Sequence, residues 1–186
     1  MDKVIVADAV KNLLIALGQD AERPGLLETP MRVAKMYEEV LGGYAQDPDE
    51  VLKFFDEDFT EDMVVVRDIN FHSLCEHHLL PFYGVVHICY IPAKGKLLGL
   101  SKLARVVDLF AKRLQLQEKM GSEIADFLTK EAGAIGVGVV IKAEHLCMSM
   151  RGVSKIGTKT VTTALRGELK NDPQLRQEAL SQLGGN

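Results

Sequence analysis

The sequence predicts an α+β protein, and three observations carry that reading. Segments rich in valine and isoleucine read as strands at 63–71 and 84–91, two segments of helical period separate them from two further strands, and amphipathic helices precede the first strand. The resulting order is strand, strand, helix, helix, strand, strand. It divides the chain into a helical region at 1–60 and a domain at 61–186 that ends in a short helix. With 186 residues, 47% of them hydrophobic, the chain can bury one sizeable core.

Val6, Val10, Leu13, Leu14 and Leu17 recur at three-and-four spacing, which predicts a helix over 3–17 with one buried face, ended by Gly18. Thr29 is read as the N-cap, and Pro30 as the first-turn proline, of a second helix carrying Val33, Met36, Tyr37, Val40 and Leu41. Asp47-Pro48 repeats the device for a short third helix. The strands at 63–71 and 84–91 follow, the second closed by Pro92. After a turn at Lys94-Gly95, Ser101 is placed to cap a helix with Leu103, Val106, Val107, Phe110 and Leu114 on one side. A break at 115–118 precedes a helix over 119–130. Val137, Val139 and Ile141 alternate with smaller or polar neighbours in a third strand that runs into His145 and Cys147, and 159–169 gives a fourth. Asp172-Pro173 opens a last helix through Leu175, Ala179 and Leu183, and Gly184-Gly185-Asn186 is expected to fray. A sheet of four strands with helices on one face leaves two edges to be covered, charged or paired, and joining a larger closed sheet is one solution.

Charged residues make up 26% of the chain, mixed in sign, and the net charge of -4 argues against nucleic acid as a partner. A locally basic cleft on an acidic protein can still draw in an anion. No apolar run approaches the roughly 20 residues that cross a bilayer, and Met1-Asp2-Lys3 does not open a signal peptide, so a cytoplasmic protein without membrane contact is expected. Three cysteines in a reducing compartment favour metal binding or plain burial over a disulfide framework.

Cys75-Glu76-His77-His78 sets a thiol and an imidazole three residues apart, a spacing at which one turn can aim both at a metal ion, while the adjacent His77 aims elsewhere. His145-Leu146-Cys147 follows a strand, where residues two apart share a face, and can close such a site from across the sheet. Thiolate and imidazole donors together favour zinc. Three ligands, Cys75, His78 and Cys147, leave one position for water and leave His77 and His145 as proton carriers; a fourth would make the site closed and structural. Cys89, His72 and His87 sit within strand patterns and read as structural. Gly99-Leu100-Ser101-Lys102 at a helix start, with Arg105 one turn on, suits a phosphate and is equally a capped helix with solvated basic residues. Arg151 offers a guanidinium fork to the same anion or a surface ion pair. Gln117-Glu118 suits the N–H edge of a ring and otherwise reads as solvated linker.

The run Ser73-Leu74-Cys75-Glu76-His77-His78-Leu79-Leu80-Pro81-Phe82 resembles the signature of type I GTP cyclohydrolases. Tyr90-Ile91-Pro92, Gly99-Leu100-Ser101-Lys102, Gln115-Leu116-Gln117-Glu118, Ala143-Glu144-His145-Leu146-Cys147-Met148 and Met150-Arg151-Gly152-Val153 extend the likeness over about 26–170. The resemblance implies the tunnelling fold, a four-stranded antiparallel sheet with two helices between its strand pairs. Such sheets join into a barrel, and two rings stack as a homodecamer with active sites between subunits. It implies hydrolysis of GTP at guanine C8, release of formate and rearrangement to 7,8-dihydroneopterin triphosphate, the entry to tetrahydrofolate and other pterins. It makes Cys75, His78 and Cys147 the Zn2+ ligands and His77 and His145 the catalytic histidines. It assigns Glu118, with Gln117 nearby, to the guanine edge, and Ser101, Lys102, Arg105 and Arg151 to the triphosphate or sugar, with Arg32 and Lys35 as further phosphate candidates. The stretch 164–169 is only loosely like the family's ending, and Gly121 stands where a hydroxyl residue is common. The rival readings are a zinc-stabilised assembly module without catalysis and another tunnelling-fold enzyme acting on a pterin or deazapurine.

Overall fold

In the computed structural model, which describes residues 1–55, 62–93 and 97–184, α1 (Lys3–Ala16) opens on Asp2. Its carboxylate accepts from the amides of Val4 and Ile5 at 2.9 and 3.1 Å, meeting two donors that a helix start leaves unpaired. Gly18 ends the helix at a φ of 75°. The next helix, α2 (Thr29–Val40), begins one residue earlier than expected. Thr29 is its first residue rather than its cap, because the preceding turn already directs the Thr29 amide to the Leu26 carbonyl at 2.9 Å. These two helices form one compact unit, Met1–Gly42, with Ala7 and Ala34 buried. The buried face expected of α1 is met only in part, since Leu13 and Leu17 remain 56% and 65% exposed.

The second unit, Gly43–Asn186, carries a 3-10 turn at Pro48–Glu50 capped by Asp47 ahead of its strands. Then come β1 (Phe54–Phe55), β2 (Val64–Cys75), β3 (Pro81–Ile91), β4 (Leu97–Leu98) and α3 (Leu100–Ala111). These are followed by β5 (Leu114–Gln115), α4 (Gln117–Lys130), β6 (Gly136–His145), α5 (Leu146–Ser149), β7 (Thr160–Gly167), α6 (Glu168–Asn171) and α7 (Pro173–Gly184). The sheet runs β5-β2-β3-β6-β7, antiparallel except where β5 joins β2 in parallel, and β1 pairs separately with β4. The expected four strands are all present, and β5 makes a fifth. At two residues it is too short to leave a period in the sequence.

Alternation along the strands sorts the core. Phe82, Val86, Ile88 and Tyr90 of β3, with Val137, Val139 and Ile141 of β6, pack under Leu103, Val106 and Val107 of α3 and Met120, Ile124 and Leu128 of α4. Cys89, Ile91 and Val140 point to the other face, where Leu169, Ala179 and Leu183 cover them, so helices occupy both faces rather than one. Gly138 permits that approach, since a Cβ there would lie 2.7 Å from the Cys89 Sγ and 3.2 Å from Leu183.

Two element ends differ from expectation. Gly99 already holds the extended cap position of α3, so Ser101 lies within the first turn and makes no capping bond. The fourth strand stops at Gly167, whose φ of 58° turns the chain into α6 and buries Leu169 in a helix instead of a strand. Asp172 caps α7 as expected, accepting from the amides of Gln174 and Leu175 at 2.7 and 3.1 Å. His87 is structural. It is 2% exposed and stands opposite the bulge between Val66 and Ile69, where its Nδ1 accepts the Asp68 amide at 3.1 Å in place of a lost ladder bond. The Lys94-Gly95 turn and the last two residues of the fraying end lie outside the described residues.

Candidate metal centre and active site

Cys75 is the last residue of β2, and a tight turn follows it. Its amide donates to the Leu80 carbonyl at 2.9 Å, and its carbonyl accepts from the amides of His78 and Leu79 at 3.3 and 2.9 Å. The turn is held from the side as well, because the Glu76 amide donates to the Gln115 carbonyl at 3.1 Å, where β5 runs beside β2. Folding back at 76–80 brings His78 over Cys75 and lets β3 restart at Pro81.

The other half arrives on β6. Register pairs Phe82 with His145, which ends the strand and caps α5. Cys147 therefore sits on a helical turn, and the strand rule that His145 and Cys147 share a face does not apply. Instead the two point to different partners. Ligand atoms of Cys75, His78 and Cys147 all lie within 4.8 Å of one another, a group that can hold a metal ion. Two thiols and an imidazole at that spacing fit the soft, tetrahedral preferences of zinc, whose ligand bonds are about 2.0–2.3 Å. Burial, and then the neighbouring Cys75, push the Cys147 thiol up, which is the electrostatic cost that a cation between the two sulfurs removes. Neither His77 nor His145 belongs to the group.

His145 is committed elsewhere. Its ring stacks on Phe82 at 4.7 Å with 1° between planes, and its Nε2 lies 2.8 Å from the Gln117 Oε1. Burial holds the imidazole below its usual range, and the nearby Glu118 pulls the other way. A cavity of about 450 Å³ is lined by Cys75, His77, Gln117, Glu118, His145 and Cys147 among others. Thus the two catalytic candidates, two of the three ligand candidates and both guanine-edge candidates share one space. The structure corrects the view of Gln117-Glu118 as solvated linker in part: both stand in the first turn of α4, where Gln117 is 1% exposed while Glu118 stays exposed.

The phosphate candidates are placed differently. Arg151 Nη1 donates toward His78 Nε2 at 3.4 Å, at the rim of the cluster. Ser101, Lys102 and Arg105 do not line the cavity. Arg105 lines a second one of about 550 Å³ with Asp47, Glu50 and Asp108. Arg32 belongs to the Met1–Gly42 unit and pairs with Glu28 one turn before it. Sequence reasoning gave no role to Phe82 as the platform under His145, nor to Thr160 and Thr162, which bond Gln117. The only signal was the place of Phe82 at the end of the Cys75–His78 run.

The family model for GTP cyclohydrolase I matches residues 6–184. GTP cyclohydrolase 1 of Acetivibrio thermocellus is 54% identical over 185 residues, spanning 100% of this chain and 99% of that protein. The enzymes of the same name from Thermoanaerobacter pseudethanolicus and Listeria monocytogenes are 54% and 51% identical over 181 residues, 97% of this chain and 96% of each relative. A solved structure, the archaeosine synthase QueF-Like in the apo form, aligns with a TM-score of 0.46 at 20% identity over 59% of this chain and 97% of its own, too slight a likeness to add weight. A match running nearly end to end, with relatives above half identity over their whole length, establishes that the chain belongs to the GTP cyclohydrolase I family.

Proposed function

We propose that this protein is an enzyme that hydrolyses GTP at guanine C8, releasing formate and yielding 7,8-dihydroneopterin triphosphate, the first step toward tetrahydrofolate and other pterins. Membership of the family supports it. The observation that carries it is the three-residue Cys75/His78/Cys147 group beside one cavity that also holds His77, His145 and Glu118. Three ligands leave zinc a position for water, and zinc bound there would supply a Lewis acid that lowers the pKa of that water to about 7.

The chain's own residues do the rest. Glu118 accepts from the N–H edge of guanine and fixes the base with C8 toward the ligand cluster. As water adds at C8, His145 delivers a proton to N7. A second water then releases formate, with His77 assisting the proton transfers. The ring-opened sugar rearranges to a ketose, and its carbonyl condenses with the exposed amine, returning one water. The net reaction is GTP plus one water giving formate and the pterin triphosphate.

Ser101, Lys102 and Arg105 bind the triphosphate of a substrate seated in a neighbouring subunit's cavity, and Arg151 adds a further cation. Their separation from the ligand cluster within one chain supports a composite site. The uncovered edge of β7, with Val161 56% exposed, supports closure of the tunnelling-fold sheets into a barrel and a homodecamer. In that reading 1–60 is a helical appendage and 61–186 the catalytic domain. Among the described residues no helix is long and apolar enough to cross a membrane. A cytoplasmic site of action, where GTP is at hand and thiols stay reduced, belongs to the same reading.

A structural zinc module is not favoured, since it needs a fourth protein ligand and neither free histidine joins the group. Incubating the zinc-loaded protein with GTP and assaying formate, with the pterin detected by fluorescence after oxidation, tests the proposal. Stoichiometric formate and pterin are expected. Their absence from a fully assembled, zinc-loaded sample overturns it.

A further inference from the structure

The Gln117 side chain lies against His145 with both of its amide hydrogens committed to other elements of the chain. Its Nε2 is 3.1 Å from the carbonyl oxygens of Ile141 and Thr160 and from the Thr162 hydroxyl. Two carbonyls can only accept, so the amide cannot be turned around, and its Oε1 must face the His145 Nε2 at 2.8 Å. An amide oxygen has no proton to give. The imidazole must therefore carry its proton on Nε2. Stacking on Phe82 holds the ring plane, and no described residue bonds Nδ1.

We propose that Gln117 is a positioning residue that locks His145 as the Nε2–H tautomer and leaves Nδ1 as the nitrogen that exchanges a proton with substrate. In the neutral ring Nδ1 holds the free lone pair. In the imidazolium the Nε2 proton stays bonded to Gln117, and only the Nδ1 proton is free to reach N7. The amide is tied to β6 and β7 through Ile141, Thr160 and Thr162, so the tautomer is set by strand pairing rather than by solvent. The tautomer stands on this geometry alone, whereas its catalytic consequence rests on the functional reading above.

Solid-state 15N NMR of the zinc-loaded protein labelled at histidine reads the tautomer directly. Five histidines keep the spectrum simple, and His145→Asn assigns the signal. The expected result is a protonated Nε2 and an unprotonated Nδ1 for His145. A protonated Nδ1 in the neutral ring overturns the proposal, whether or not the protein turns over GTP.

Kinetics read the consequence. Gln117→Met, which has no acceptor, is expected to lower kcat by about tenfold to a hundredfold with the KM for GTP changed less than about threefold. Gln117→Glu, kept protonated because its second oxygen would face the Ile141 and Thr160 carbonyls, retains an acceptor opposite Nε2 and one donor to the strands, and is expected to recover most of that loss. If Gln117→Glu is worse than Gln117→Met, the amide matters for tying the strands, and the positioning role is wrong. A raised KM with unchanged kcat would make Gln117 a substrate contact and equally overturn it. Should Gln117→Met fail to assemble, Gln117→Glu against the parent protein and the NMR assignment decide the matter.

Discussion

Cys147 and His145 are two residues apart and meet different partners because the strand ends between them. One sulfur joins Cys75 and His78, while the imidazole turns to Gln117. Replacing Cys75 or Cys147 by serine is expected to lower bound zinc from about one per chain to well below half, as read by metal analysis after gel filtration. His77→Ala should keep the metal and lose turnover by about a hundredfold or more. Cys89 is the contrasting thiol. Burial pushes its pKa up to about 12, so in the native protein it should resist alkylation at pH 8 by iodoacetamide, with mass spectrometry showing modification only after denaturation. The Cys75/His78/Cys147 grouping was legible because it lies in two short runs of distinctive residues. The burial of Gln117 was not, because a glutamine in a break between helices carries no mark of it. Only the meeting of α4 with β6 and β7 surrounds it with acceptors.

His87 gives a second residue-scale test, through pH. Burial holds its imidazole below the usual 6.5, and its Nδ1 must be unprotonated to accept from Asp68. Arg67 and Lys142 press in the same direction, and Asp68 opposes them. As pH falls the unfolded chain binds this proton first, so the stability contributed by His87 is fully present above about 6.5 and is lost as pH falls through the lower folded value. Urea unfolding at pH 7.5 and 5.5 should show a smaller acid loss for His87→Gln than for the parent protein. An equal loss in both would remove His87 from the account.

At the scale of elements, the paired strands position the site, and the helices hold the strands. Ile124 of α4 is fully buried against the sheet, and Ile124→Ala should cost about 2–5 kcal/mol in denaturant unfolding. Gly167 is less forgiving in kind. Its φ is 58°, and a Cβ would lie 1.9 Å from the Ile135 carbonyl oxygen, so Gly167→Ala must move the backbone where β7 enters α6. Thermal melting should show it less stable than Gly133→Ala, whose glycine also has positive φ, 62°, with nothing within 4 Å of the added carbon. The long strands and helices were readable from period, down to the alternation of Val137, Val139 and Ile141. β5 and the move of Cys147 onto a helical turn were not, because two residues of strand and four of helix are set by tertiary hydrogen bonds rather than by pattern.

At the scale of the whole molecule, the candidate residues fall in two separate cavities. One gathers His77, His145 and Glu118 beside the Cys75/His78/Cys147 group that can hold a metal ion, and the other carries Arg105. The expected remedy is assembly, each subunit lending its cations to a neighbour's cavity. Mixing an Arg105→Ala protein with a His145→Ala protein, each inactive alone, should restore part of the activity once the rings exchange subunits, because some composite sites then draw both intact halves. No recovery in demonstrably mixed rings would confine each site to one chain. The sequence reported the motifs of both halves but not their distance, since only the sheet order determines which strand ends meet.

The most direct test of the central claim uses GTP labelled with carbon-14 at C8 and zinc-loaded, fully assembled protein. The account predicts one labelled formate for each pterin triphosphate formed, and loss of both products together in His145→Ala and in the zinc-free protein. Label retained in a purine or pterin product, or formate released at the same rate without Cys75, His78 and Cys147, would contradict it.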